Sequence, residues 1–277
     1  MNKTLRKLLI ALACIAVVAL LIVFYLGIGF QTLPVERSIA GLVNSELYLT
    51  AHRGLSAVAP ENTAPAIEEA GKAGFYAAEF DITLTKDGVW ILNHDSSVDK
   101  MSNGEGEVSD YTCEEIMQFT IDNGNGIENY PDLQFTTFED ALAICVEYGM
   151  RAMIEIKGGS AEDMQGFLNI LKASPAYETA LVIDFNSERM AKLRALDSDL
   201  ELWFLTTTIS EDDIAFAKEQ SAGLGFNFGN VLFKPHLIKT AREQGLTIAS
   251  WTIDFPPILD ALRVMGVKYI TTNKILP

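Results

Sequence analysis

Positive charge is scarce in this chain: 21 Lys and Arg face 37 Asp and Glu across 277 residues, a formal net charge of −16. Lys3, Arg6 and Lys7 are the only charges before Glu36, and removing those three cations leaves the remainder at −19. A domain of that sign does not attract nucleic acid non-specifically, and no nucleic-acid partner is expected. It also repels an anionic substrate unless local cations reverse the field. Cysteine is equally sparse. Cys14, Cys113 and Cys145 are far apart, which excludes a disulfide framework and offers no zinc spacing. Histidine occurs three times, at His52, His94 and His236. No Gly-x-Gly-x-x-Gly turn follows the first strand-like run, which weakens a dinucleotide-binding sheet.

What is present begins with Leu8 to Phe30, 23 uncharged residues that at 1.5 Å each reach roughly 35 Å, enough to cross a hydrocarbon core. A cleaved signal peptide has a shorter apolar region and a small-x-small exit, whereas Gly27-Ile28-Gly29-Phe30 offers none. The run is read as a single transmembrane helix at the cell membrane. Residues 1–7 are cytoplasmic because their cations stay inside, and 31–46 form a tether to a domain at 47–277 that faces outward.

Beyond the tether, short apolar runs alternate with helix-like segments. Strands are expected at 48–53, in Ala77 to Thr83, and at 151–157, 181–185, 202–206, 225–228, 246–252 and 268–272. Helices are expected between them, the first capped by Asn62 or Thr63 with Pro65 in its first turn. Eight strands alternating with helices predict an α/β fold, a (β/α)8 TIM barrel, with an open doubly wound sheet as the runner-up. Lys86-Asp87-Gly88 predicts a hairpin joining the second strand to Val89–His94, and residues 96–135 beyond it are rich in Gly, Asn, Asp and Ser.

In such barrels the working residues stand at the C-terminal ends of strands. His52 and Arg53 end the first, Glu79 and Asp81 lie late in the second, and Glu155 and Lys157 end the third. Alternation puts Glu79 and Asp81 on one face and Phe80 and Ile82 on the other. An isolated Glu-x-Asp is more often a solvated edge. Three carboxylates converging from two neighbouring strands instead suit a hard divalent cation such as Ca²⁺ or Mg²⁺. The hairpin brings His94 over the same rim, so two histidines can serve as general acid and base. Arg53 and Lys157 supply positive charge for a phosphate, and Trp251 is a candidate pocket wall. His236, at a helix start, is read as a surface or capping residue.

His52-Arg53-Gly54, Pro60-Glu61-Asn62-Thr63, Glu79-Phe80-Asp81, Thr85-Lys86-Asp87-Gly88, His94-Asp95 and Glu155-Ile156-Lys157 stand in an order and spacing that resembles the glycerophosphodiester phosphodiesterases. The resemblance implies a metal-dependent TIM barrel, with a small insertion after the second strand that fits residues 84–135, that cleaves glycerophosphodiesters to sn-glycerol 3-phosphate and an alcohol. It implies Glu79, Asp81 and Glu155 as metal ligands, His52 and His94 as the acid–base pair, Arg53 and Lys157 on phosphate, and Glu61 in support. The chain departs from the family's usual pattern at Lys100, at Thr136-Thr137-Phe138 and at Asp254, which bears on substrate choice. A phospholipase D-like, sphingomyelinase D-type barrel and a non-catalytic surface-anchored binding domain are the alternatives. No protein partner is expected.

Overall fold

The computed structural model describes residues 47–275. The anchor expected at 8–30 and the tether at 31–46 lie outside them. Among the described residues no helix is long and apolar enough to cross a membrane.

The chain alternates strand and helix. In order run β1 (Tyr48–Ala51), α1 (Ala64–Lys72), β2 (Ala77–Leu84), β3 (Trp90–Leu92), α2 (Cys113–Ile116), α3 (Phe138–Glu147), β4 (Arg151–Ile156) and α4 (Met164–Ala173). There follow β5 (Leu181–Asp184), α5 (Ser187–Leu196), β6 (Glu201–Thr206), α6 (Glu211–Glu219), β7 (Gly223–Asn227), α7 (Gly229–Phe233), α8 (Pro235–Glu243), β8 (Ile248–Trp251), α9 (Pro256–Val264) and β9 (Tyr269–Thr272). Strands β1, β2 and β4 to β9 pair in parallel around a ring, and the β1–β2 pairing closes it. This is the closed eight-stranded barrel rather than the open sheet. β3 returns antiparallel on the far half of β2, in the register Ile82↔Leu92, with Gly88 (φ 82°) in the left-handed turn between them.

Local signals account for the helix starts. Thr63, not Asn62, caps α1 by accepting from the Ala66 amide; Thr137 caps α3 and Ser210 caps α6 in the same way. Every residue of β2 but the last is buried, because one face meets the barrel lumen and the other the helices. On the helix side Phe80 packs near Phe138, Phe138 stacks on Phe167 at 5.4 Å, and Trp90 meets the edge of Phe167. Tyr48, Tyr76 and Tyr269 crowd together at the N-terminal end of the barrel, with Trp203 against Tyr269. The segment between β2 and α3 builds its own apolar cluster from Val98, Met101, Val108, Ile116, Ile121 and Phe135.

The expected and observed bounds differ in places. β1 stops at Ala51 rather than residue 53 because Arg53 and Gly54 turn into left-handed backbone (φ 56° and 72°). β7 starts two residues earlier than expected, at Gly223, where a Cβ would lie 2.4 Å from the Trp203 ring. The helix expected at 160–173 opens with a 3₁₀ turn at Ala161–Asp163.

Gly54 sets the close approach of the β1 loop to α1. A Cβ there would lie 2.5 Å from the backbone carbon of Ala66, and φ is +72°. Gly54→Ala should therefore cost about 2 kcal/mol or more and lower the melting temperature by at least about 4 °C. An unchanged thermal melt would show that the turn relaxes freely.

Candidate active site

Two consecutive left-handed residues reverse the chain just beyond β1. The turn aims the Arg53 amide back at β2, where it donates to Glu79 Oε2 at 2.8 Å, while the Gly54 amide donates to the Glu79 carbonyl. A non-glycine residue held at positive φ costs of order 1–3 kcal/mol, and here the strained residue carries a guanidinium into the barrel mouth.

Glu79, Asp81 and Glu155 come together as expected. One carboxylate oxygen of each lies within 4.8 Å of the others, and all three residues are buried. The register Asp81↔Glu155 across β2 and β4 sets this meeting. Asp81 Oδ2 accepts from Asn62 Nδ2 at 2.8 Å, and Asn62 Oδ1 accepts in turn from the Asp81 amide. The cations stand close. Arg53 Nε is 3.4 Å from Asp81 Oδ2, and Lys157 Nζ contacts Glu155 Oε1 and lies 3.5 Å from Asp81 Oδ1. Glu79 Oε1, by contrast, is buried with no hydrogen-bond partner among the described residues. A buried carboxylate oxygen left unpartnered among acids is costly unless a proton or a cation meets it. The all-oxygen donor set fits a hard divalent ion.

The electrostatics agree. Burial, then Asp81 and Glu155, push the Glu79 carboxyl well above the ordinary range. Burial and Asp81 raise Glu155 to about 7 despite Lys157. Burial opposes the charge on Arg53 and Lys157, but the neighbouring carboxylates hold both above their ordinary values. A carboxyl raised in the folded state binds its proton more tightly there than in the unfolded chain, so it subtracts stability as pH climbs. The metal-free protein should lose thermal stability between about pH 4.5 and 7, the span from the ordinary Glu155 value to its folded one. Glu155→Gln should flatten that decline. An equal slope in a melting series of both proteins would remove Glu155 as its source.

His52, Arg53, His94 and Lys157 line one cavity of about 290 Å³, together with Glu79 and Glu155. Asp81 sits behind that lining, held by Asn62. Trp251, at the end of β8, forms part of the apolar wall, its ring edge-on to Phe185 at 5.8 Å. Glu61 lies outside the lining and bridges Arg53 (2.9 Å) and Lys100 (2.7 Å). His236 is exposed on α8 and does not line the cavity.

Each of the two cavity histidines has a partner on Nδ1. His52 Nδ1 is 2.7 Å from Asn273 Oδ1. Asn273 is oriented from the far side, since its Nδ2 donates to Asp254 Oδ2 at 2.6 Å and a carboxylate only accepts. Asn273 therefore turns its oxygen to His52, Nδ1 carries the proton, and Nε2 keeps its lone pair. Burial and then Arg53 lower the His52 pKa below 6.5, which favours the neutral ring. His94 Nδ1 is 2.7 Å from Asp95 Oδ1, and since a carboxylate only accepts, Nδ1 is the donor.

Sequence reasoning missed Asn62, Asn273 and the bracing role of Asp254. It also missed Asp184, a buried carboxylate at the end of β5. Asp184 is taken up by two bonds from Arg189, which also donates to the Ile156 carbonyl and so braces the end of β4. Asn273 did carry a signal, since it directly follows the last barrel strand, where working residues stand.

The sequence profile described as the glycerophosphoryl diester phosphodiesterase family matches residues 52–276. Human glycerophosphodiester phosphodiesterase 1 is 31% identical over 175 residues, 62% of this chain and 53% of its own. The chain thus spans about half the length of that relative. The glycerophosphodiester phosphodiesterase of Caldanaerobacter subterraneus is 28% identical over 228 residues, 80% of this chain and 92% of its own. Among solved structures, a phosphodiesterase from Oleispira antarctica, in complex with the product sn-glycerol-3-phosphate, superposes with a TM-score of 0.77. It is 21% identical, over 84% of this chain and 95% of that one, a likeness of fold.

Proposed function

Because the chain belongs to the glycerophosphoryl diester phosphodiesterase family, we propose that it hydrolyses glycerophosphodiesters to sn-glycerol 3-phosphate and an alcohol. The observation that carries this reading is the meeting of two differently wired histidines, two cations and a three-carboxylate cluster on one cavity. A binding module has no need of the full set.

Arg53 and Lys157 bind and orient the phosphodiester within a domain that otherwise repels it. His52 Nε2, unprotonated because Nδ1 donates to Asn273, takes the proton from the nucleophile, a water or an adjacent glycerol hydroxyl. The nucleophile's oxygen bonds to phosphorus, the bond from phosphorus to the alcohol oxygen breaks, and His94 delivers a proton from Nε2 to that oxygen. If the glycerol hydroxyl attacks, water reopens the cyclic diester with the two histidines in exchanged roles. Glu79, Asp81 and Glu155 would hold Ca²⁺ or Mg²⁺, and that ion supplies Lewis-acid stabilisation of charge on the phosphoryl oxygens. Glu61 and Lys100 steady Arg53.

The run at 8–30 anchors the enzyme in the cell membrane with the barrel on the extracytoplasmic side, a reading that rests on the hydropathy and charge of the sequence. A coupled assay for released glycerol 3-phosphate, across several head groups and with Ca²⁺ or Mg²⁺, tests the activity. No release from any diester would overturn it.

A further inference from the structure

Exposed apolar side chains usually scatter over a domain. Here they gather on one face. Among the described residues, the exposed large hydrophobics are Val58, Val146, Phe185, Phe233, Phe255 and Ile275. All but Val146 lie on the face where the cavity opens, just beyond the C-terminal ends of strands, on loops or, for Phe233, at the end of the short helix α7. Phe233, Phe255, Ile275 and Val58 follow β7, β8, β9 and β1, which are consecutive neighbours around the barrel. The Ala57 amide donates to the Asn273 carbonyl, and Asp254 binds Asn273, so the β8, β9 and β1 loops are laced together. The result is an apolar arc along one side of the mouth.

Charge along that arc is unlike the rest of the chain. The loops at 52–63, 228–234, 252–255 and 273–275 hold two acids, Glu61 and Asp254. Both are engaged within the site, Glu61 by Arg53 and Lys100 and Asp254 by Asn273 and Thr272. Lys274 lies on the same stretch of chain, as does Lys234, whose Nζ donates to the Ile209 carbonyl at 2.7 Å. An apolar arc depleted of acids, with lysine beside it, is complementary to a phospholipid headgroup layer, whereas two copies meeting arc to arc would set lysine against lysine.

The chain outside the structure has the reach that such contact needs. It joins at Leu47, on the N-terminal side of the barrel, opposite the mouth. Sixteen tether residues span at most roughly 55 Å at 3.3–3.6 Å each. Strands of four to eight residues are on the order of 13–27 Å long. The tether can therefore pass the barrel and let its mouth face the bilayer that holds residues 8–30.

We propose that the arc formed by Phe233, Phe255, Ile275 and Val58 seats on the surface of the lipid bilayer and presents the cavity to phosphodiesters carried in it. This rests on the anchor and the diester reading given above. The test uses the full chain in phosphatidylcholine nanodiscs, with Cys14 and Cys113 replaced by serine. An environment-sensitive dye is placed at Phe255→Cys, at Ile275→Cys, or at Val146→Cys on α3 as the control. A quencher attached to the lipid acyl chains should dim the first two labels at least about twofold and leave the third bright, since only groups in the interface meet it. Uniform brightness at all three sites overturns the proposal. So does protection at Phe255 and Ile275 that tracks protein concentration instead of quencher, which would mark a second copy as the occupant. In a second arm, the double variant Phe255→Asp, Ile275→Asp should turn over a monoacyl glycerophosphodiester in vesicles about tenfold more slowly, while soluble glycerophosphocholine stays within about twofold. Equal loss on both substrates overturns it as well. If the unmodified enzyme fails on the soluble diester, the activity reading falls while the quenching result still reports the docking.

Discussion

His52→Ala should keep the fold and lose turnover by about 10²–10⁴-fold, the range set by removing a proton-transfer group. The fold survives because the His52 ring makes one side-chain hydrogen bond, to Asn273, while the backbone ladders of β1 with β2 and β9 do not involve it. Activity falls because nothing else on that side of the cavity accepts a proton with a free imidazole lone pair. The pH profile separates this from a packing defect. Burial and Arg53 hold the His52 pKa below 6.5, so the base stays competent below the pH at which an ordinary histidine would be protonated. The acidic limb of kcat/KM should thus fall below 6.5 and vanish in the alanine variant. Asp254→Asn removes the acceptor that turns the Asn273 oxygen toward His52, and should move that limb while leaving the thermal melt nearly in place. Near-normal turnover of His52→Ala in the glycerol 3-phosphate assay would sink the assignment. His94→Ala should show a comparable loss of turnover in the same assay.

Much of this was legible because parallel barrels write themselves locally. Each strand is a short apolar run, and several helices announce themselves with a capping residue such as Thr63, Thr137 or Ser210. The period-two alternation sufficed to place Glu79 and Asp81 on the lumen side and Phe80 and Ile82 against the helices. The start of β7 was misjudged because Gly223 has no side chain with which to signal a strand; Gly223 and Gly225 leave room for Trp203 and Leu205. The supporting residues were harder for a different reason. Asn62 meets Asp81 across 19 positions, and Asn273 meets His52 across 221. Those contacts exist only once the barrel closes and brings β9 beside β1. The choice between base and acid was hidden for the same reason, since it depends on what each Nδ1 faces. Asp254, a departure from the usual asparagine, shows its effect through Asn273 and not through the cavity.

Removing divalent ions with EDTA should abolish hydrolysis, and Ca²⁺ or Mg²⁺ should restore it. The expected loss is at least about a thousandfold, since a Lewis acid on a phosphoryl oxygen is worth several kcal/mol of transition-state stabilisation. The reason lies in the charge of the mouth. Three buried carboxylates face two cations, Arg53 and Lys157, and a phosphodiester adds a further negative charge. Without an ion the cluster stays neutral enough to fold by holding protons, as the raised Glu79 and Glu155 values indicate. Those protons occupy the oxygens that would otherwise anchor the ion. Glu79 Oε1 bears most directly on the ion, because it is buried with no donor among the described residues and a cation would satisfy it. Glu79→Gln should therefore raise the concentration of Ca²⁺ or Mg²⁺ needed for half-maximal activity, with the remaining activity still dependent on the ion. A readout independent of turnover is the thermal melt: an ion at a hundred times its dissociation constant stabilises the protein that binds it by about 2.7 kcal/mol, and Glu79→Gln should lose most of that shift. Full activity in chelator, with no metal-induced change in the melt, would leave the three acids as a proton-sharing cluster and the two cations alone to hold the phosphate.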